Sequence, residues 1–203
     1  MFISKLLRFI SLVAIALHVP LAAHDVIVEF KAAYFRATDS CFRAIYGNGA
    51  ALFGPEVTFS LCGDSDWYGF ASVDYLKKSG HSVGLCDPTT VRMVPLAFGL
   101  KYFKPVGCAD LYAGLGFQPT HLKTNNCSPT VVQQTSQWCL GGIAKFGAYV
   151  DVRCNFVLDF FVDYSFVKAG CPKLCPSISA SLISLKANLS GVIFGVGFGY
   201  RFN

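Results

Sequence analysis

The sequence predicts an all-β fold: an eight-stranded antiparallel transmembrane β-barrel, wound as an up-and-down meander with short periplasmic turns and long external loops. Three observations carry that prediction. Apolar side chains recur at every second position through most of the chain, which is the period of a strand. Connections between these alternating stretches are long and short in turn. The composition is too apolar for an average soluble domain, with 53% hydrophobic, 15% aromatic and 14% charged residues in 203.

The N-terminal region stands apart. The run "FISLVAIALHVPLAA" follows Lys5 and Arg8 and ends in the small residues Ala22 and Ala23, the layout of a secretory signal peptide. Residues 1–23 are therefore expected to be removed, leaving residues 24–203 as one barrel domain. Beyond it no stretch reaches the roughly 18 uncharged apolar residues of a membrane helix, because Lys101, Lys145, Asp159, Asp163, Lys186 and Arg201 interrupt each candidate. A hydrophobic exported chain without helical spans points to a closed barrel, since lipid tolerates no unpaired backbone.

The strands follow in order. In "VIVEFKAAYF" Val26, Val28, Phe30, Ala32 and Tyr34 oppose Glu29 and Lys31, and in "ALFGPEVTFSL" Ala51, Phe53, Val57, Phe59 and Leu61 oppose Gly54, Glu56, Thr58 and Ser60. "WYGFASVDY" sets Trp67, Ala71, Val73 and Tyr75 against Ser72 and Asp74; "VPLAFGLKYF" sets Val94, Leu96, Phe98, Leu100 and Tyr102 against Gly99 and Lys101. "LYAGLGF" presents Leu111, Ala113, Leu115 and Phe117. "WCLGGIAKFGAYV" places Trp138, Leu140, Ala144, Phe146 and Val150 opposite Lys145 and Gly147. "FVLDFFVDYSF" turns Phe156, Leu158, Phe160, Val162, Tyr164 and Phe166 away from Asp159, Asp163 and Ser165. The closing "GVIFGVGFGYRFN" alternates large apolar residues with glycine up to Arg201.

Connections 36–50, 77–90, 123–137 and 168–187 are long, whereas 62–66, 104–109 and 151–155 are short and hold the turn formers Gly63, Asp64, Pro105, Gly107 and Asn155. That rhythm, with an even strand number, is the plan of an outer-membrane barrel with both termini on the periplasmic side. A secreted sandwich or lipocalin-like barrel also alternates, but its solvent face carries dense charge, and here the minority face is glycine, serine and few charges. Those charges, Glu29, Glu56, Asp74, Asp159 and Asp163 against Lys31, Lys101, Lys145 and Arg201, nearly balance. They are expected to pair inside a lumen too narrow for a wide channel, with Asp159 and Asp163 meeting Lys145 and Arg201. Tyr34, Trp67, Tyr102, Trp138 and Phe202 are expected at the lipid interfaces.

The terminal "FGYRFN" resembles the C-terminal strand signature of bacterial outer-membrane β-barrels. With "EFKAAYF", "FRAIYGNGA", "PLAFGLKYF" and "GGIAKFGAYV", the mature chain looks like the small barrels of the opacity-protein type, a group that includes OmpA-like membrane domains and OmpW-like barrels. The resemblance implies outer-membrane lipid as surroundings and the barrel-assembly machinery as a partner reading Tyr200 and Phe202, although the aromatic is penultimate here, followed by Asn203. It fixes architecture better than activity, because the group holds adhesins, narrow porin-like passage proteins and structural barrels.

Nine cysteines in an exported chain suggest disulfides. Cys62, Cys108 and Cys154 fall one to each short turn; Cys41, Cys86, Cys127, Cys171 and Cys175 fall in the long loops, and Cys139 sits where a strand leaves one. An odd total leaves a thiol for a partner chain, and the resemblance extends to barrels of bacteria with disulfide-linked envelopes, making another cysteine-rich envelope protein the expected partner. Zinc is weakly signalled: "CPKLC" has ligand spacing, but no histidine adjoins it and oxidation competes, so no metal or cofactor is expected. Enzymatic chemistry is not expected either. His24, His81 and His121 remain after signal removal, with Ser128, Ser79 and Ser82 as neighbours, but there is no G-x-S-x-G. The glycines of "LYAGLGF" and "GVGFGY" lack the following helix of a dinucleotide loop. The formal net charge is +5, to which Lys5 and Arg8 contribute two; the remainder is too small and scattered for nucleic acid. The expectation is a structural and surface-interacting, adhesin-like barrel, with narrow passage or, behind it, lipid modification as alternatives.

Overall fold

The computed structural model describes residues 25–61, 65–81, 87–126, 134–152, 154–169 and 189–202. The segment 1–23 lies outside them. The elements are β1 (Val26–Ala37), α1 (Ser40–Tyr46), β2 (Ala50–Ser60), β3 (Trp67–Val73), β4 (Tyr75–His81), β5 (Pro88–Val106), β6 (Ala109–Phe117), β7 (Thr120–Asn126), β8 (Gln134–Asp151), β9 (Phe156–Ala169) and β10 (Gly191–Phe202).

All pairings are antiparallel, and the sheet closes because β1 pairs with both β2 and β10. β3 and β4 form one stave between β2 and β5, interrupted at Asp74, whose N–H donates instead to the Pro95 carbonyl at 3.0 Å. β6 and β7 likewise form one stave between β5 and β8. Its break is at Gln118 and Pro119, where proline has no N–H to give the ladder. The result is a ring of eight staves, and closure leaves no sheet edge.

The polarity of the wall is inverted relative to a soluble barrel. Glu29, Lys31, Glu56, Lys101, Lys145, Asp159 and Asp163 are buried inside, while Leu115, Phe117 and Leu140 are each 70% exposed outside. Trp67, Tyr102 and Phe202 at the turn end and Tyr34 and Trp138 at the loop end are exposed on the outer wall, with the Trp67 and Tyr102 rings 5.3 Å apart.

The long connections differ from the sequence reading. Most of 77–90 and 123–137 is strand, with β4 and β5 reaching His81 and Pro88 and β7 and β8 reaching Asn126 and Gln134. Polar residues on both faces hide the period there, but a hairpin is also held by its ladder and its cross-strand pairs, such as Ser79 with Thr90 at 3.2 Å and His121 with Ser136 at 3.0 Å. The connection 36–50 contains α1. Asp39 caps it by accepting from the Phe42 N–H at 2.9 Å, and Gly47, at φ 80, ends it in a conformation that suits glycine. Of 168–187, all but Lys168 and Ala169 lies outside the described residues.

Candidate functional site: a filled lumen

Period two sends Glu29, Lys31, Glu56, Lys101, Lys145, Asp159 and Asp163 inward, and register decides which of them meet. Glu29 and Glu56 are direct cross-strand partners, an arrangement of like charges that repels unless cations intervene. Lys31 lies 3.5 Å from Glu29 and 3.1 Å from Glu56. Glu56 is the hub: its Oε1 accepts from Lys101 at 2.5 Å and its Oε2 from Lys145 at 2.9 Å. Lys145 also donates to Asp163, its register partner, at 2.9 Å.

The glycines make these contacts possible. Gly197 lies between Lys31 and Asp159 in the β1–β10–β9 register, so the ammonium crosses an intervening strand to reach Asp159 at 3.2 Å. A Cβ at Gly197 would run into the Glu29 and Asp159 side chains. Gly114 stands in the same relation to Lys101 and Lys145. This explains Gly197 and Gly199 on the inner face of the last strand, where the Glu29 and Asp159 side chains occupy the room.

Two phenols complete the network. Tyr149 donates to Glu29 at 2.5 Å, and Tyr112 donates to both oxygens of Asp159 at 3.0 Å. Lys101 also donates to Tyr149 and to Thr58, at 3.1 and 3.2 Å. The Lys31 and Lys101 ammonium groups sit 4.4 Å from the ring centres of Phe161 and Tyr112, where the ring face attracts a cation.

Above this layer, towards the loops, no buried charge follows among the described residues; Ser165 donates to Gln118, and apolar side chains fill the space beside them. Phe42, Ile45 and Tyr46 of α1 are buried in the same cluster as Phe35, Leu76 and Val91 of the wall, and Tyr46 shares a 3.3 Å hydrogen bond with Thr89. Below it, Arg201 donates to Asp110 at 2.9 Å and Asp151 at 3.1 Å, and Tyr68 donates to Asp25 at 3.1 Å. Burial pushes the Asp25 carboxyl above its usual range, opposed by the nearby Arg201 charge.

Two expected pairings are corrected. Asp159 meets Lys31, not Lys145, because Gly197 opens the path between them. Arg201 does not join the central cluster: four residues beyond Gly197, about 13 Å along an extended strand, it serves the rim aspartates. Asp74 sits at the interruption of its stave and, among the described residues, forms no ion pair. Sequence reasoning missed Tyr112 and Tyr149, although both lie at inward parity, and it missed α1. There Asp39 followed by Phe42, Ile45 and Tyr46 is a cap with helical spacing.

Of the cysteines, Cys108 and Cys154 are exposed free thiols in two turns. Cys139 is buried, with Gln137 donating to its sulfur at 3.7 Å. Cys41 lies on α1, and Cys62, Cys86, Cys127, Cys171 and Cys175 lie outside the described residues. So do the zinc spacing, His24, Ser82 and Ser128. Tyr200 and Phe202 are exposed on the outer wall, their rings 4.8 Å apart. Among the described residues no three His, Cys, Asp or Glu side chains could hold a metal, and His121 bonds Ser136, its ring 5.1 Å from that of Trp138 and tilted against it.

No protein-family model matches the chain, and no curated protein sequence matches it. Solved structures do. OprG of Pseudomonas aeruginosa is similar at a TM-score of 0.59 and 14% identity, covering 89% of this chain and 97% of that one. Neisserial surface protein A is similar at 0.57 and 15%, covering 87% and 97%. Ail of Yersinia pestis, the attachment invasion locus protein, is similar at 0.55 and 15%, covering 88% and 98%. The fold is that of the small outer-membrane β-barrels.

Proposed function

We propose that the chain is exported, loses residues 1–23, and spans the bacterial outer membrane as a closed, non-conducting barrel whose external hairpins act as a structural and adhesin-like surface. The observation that carries this reading is the doubly filled lumen inside an apolar wall: an ion would have to displace both the α1 plug and the paired charges around Glu56. What is left for function is the outside. Two of the similar structures are named for the cell surface and for attachment, which supports that class. Outer-membrane lipid surrounds the barrel, and the barrel-assembly machinery reads Tyr200 and Phe202. The turn thiols Cys108 and Cys154, with Cys62, link the barrel to other cysteine-rich envelope proteins. Catalysis has no part in this reading.

Refolded protein in planar bilayers tests it. Silence, together with heat-modifiable migration on gels, is expected; steady single-channel conductance would replace this reading with the passage one. A mature chain that stays monomeric in buffer without detergent would overturn the membrane reading itself.

A further inference from the structure

The extended hairpins carry a feature that the lumen does not use. Lys77 on β4 is the register partner of Arg92 on β5, and Arg92 is in turn the partner of Lys123 on β7. All three side chains occupy outward positions, exposed for Lys77 and Arg92 and half-exposed for Lys123. Three cations therefore stand side by side on adjacent strands, with Cβ spacings of about 5 Å, an arrangement that repels in the absence of counter-charge. Among the described residues none stands beside them. The outward neighbours along these strands are Tyr75, Ser79, Thr90, Val94, His121 and Asn125, the next register partner is Ser136, and none is acidic. Among the described residues the three cations form no hydrogen bond and no ion pair.

Height on the wall says what could face them. One pleat below Lys77, Arg92 and Lys123, about 7 Å along each strand, are Tyr75, Val94 and His121, and Trp138 stands beside His121 in register. Tyr75 and Trp138 are 47% and 59% exposed, an aromatic edge of the kind found where an apolar belt meets headgroups. The cations point sideways from the wall just above that edge, where lipid headgroups pack, and not from a loop tip into solvent. We propose that Lys77, Arg92 and Lys123 form a binding site on the outer wall for the phosphate groups of anionic lipids in the loop-side leaflet. Guanidinium between two ammonium groups suits phosphate oxygens, with Arg92 able to bind bidentately. The proposal rests on the membrane reading above.

Trp138 is a local reporter, since the protein has two tryptophans and Trp67→Phe removes the one at the opposite rim. The protein is refolded into phosphatidylcholine vesicles containing either a headgroup-spin-labelled phosphatidylcholine or a headgroup-spin-labelled anionic phospholipid. Preferential quenching of Trp138 by the anionic label is expected. The variant Lys77→Gln/Arg92→Gln/Lys123→Gln should lose that preference, at about five-fold for each charge removed, whereas Lys104→Gln near the turn end leaves it intact. Equal quenching by both labels, or a preference that survives in the triple variant, would overturn the site. Inorganic phosphate that abolishes the preference at constant ionic strength would assign the cations to soluble phosphate and overturn the lipid source. Absence of quenching by either label in folded protein would instead reject the membrane reading on which the site depends.

Discussion

Lys145 and Asp163 face each other in direct register across β8 and β9, and the ammonium that lies 2.9 Å from Asp163 lies equally close to Glu56 on the far side of the barrel. One lysine thus ties a neighbouring strand to a distant one. The lumen is held by side chains that span it, and Glu56 serves three lysines at once.

Removing that hub takes a carboxylate from three buried cations: Lys31 keeps Glu29 and Asp159 and Lys145 keeps Asp163, but among the described residues Lys101 loses its one ion-pair partner. Glu56→Ala should lower stability by about 3–5 kcal/mol, as for other broken buried ion pairs, and Asp159→Ala should also destabilise by leaving Tyr112 and Lys31 short of an acceptor. Asp66→Ala, at the start of a turn-side strand, should cost under about 1 kcal/mol. Urea midpoints of the three variants in one lipid system measure this; equal midpoints would reject a lumen held by paired charges.

The α1 plug makes a separable prediction. Phe42 is almost fully buried, so Phe42→Ala should cost roughly 3–5 kcal/mol of local packing and raise hydrogen exchange in residues 40–46. The barrel should still migrate as a heat-modifiable band and stay silent in bilayers, because the charge layer beneath remains. Conductance after Phe42→Ala alone would show that the charge layer does not close the lumen.

Asp25 sets a pH dependence at the turn-side rim. Its folded pKa lies above the unfolded one, so the folded chain holds the proton more tightly. That stability is present below the ordinary aspartate range and is lost as pH rises through the raised value. Asp25→Asn should therefore raise the urea midpoint at neutral pH, and the gain should shrink on acidification. A gain that grows as pH falls would contradict the assignment.

The turn thiols supply the last test. Cys154 and Asn155 have φ of 61 and 64, a left-handed pair of the kind tight hairpins need. Cys154 bears a strain there of about 1–2 kcal/mol that glycine would not, partly offset by glycine's greater chain entropy. Cys154→Gly should thus change stability by under roughly 1 kcal/mol while removing the thiol. In native envelopes, reductant-sensitive high-mass species should vanish when Cys62, Cys108 and Cys154 are all replaced. Their persistence would exclude cross-linking through the turns.

The wall of this barrel was legible residue by residue. Lipid demands an apolar side chain at each outward position whatever the neighbouring strand contributes, so Phe30, Phe98, Leu115, Phe160 and Phe198 declare themselves through period two, and with them the number of staves and the inverted polarity. The lengths of the hairpins were not legible, because polar or small residues such as Lys78, Gly80 and Thr89 at inward positions alternate with Lys77, Ser79, Thr90 and Arg92 at outward ones, so apolar period two does not continue along them. Only the tertiary structure decided which charges meet. Lys31 reaches Asp159 because closure brings β1, β10 and β9 side by side and Gly197 leaves the gap between them empty; Arg201 falls to the rim because the same strand carries it four residues further. Period two assigns a side chain to a face, but choosing its partner across two strands requires the register and the curvature of a closed ring.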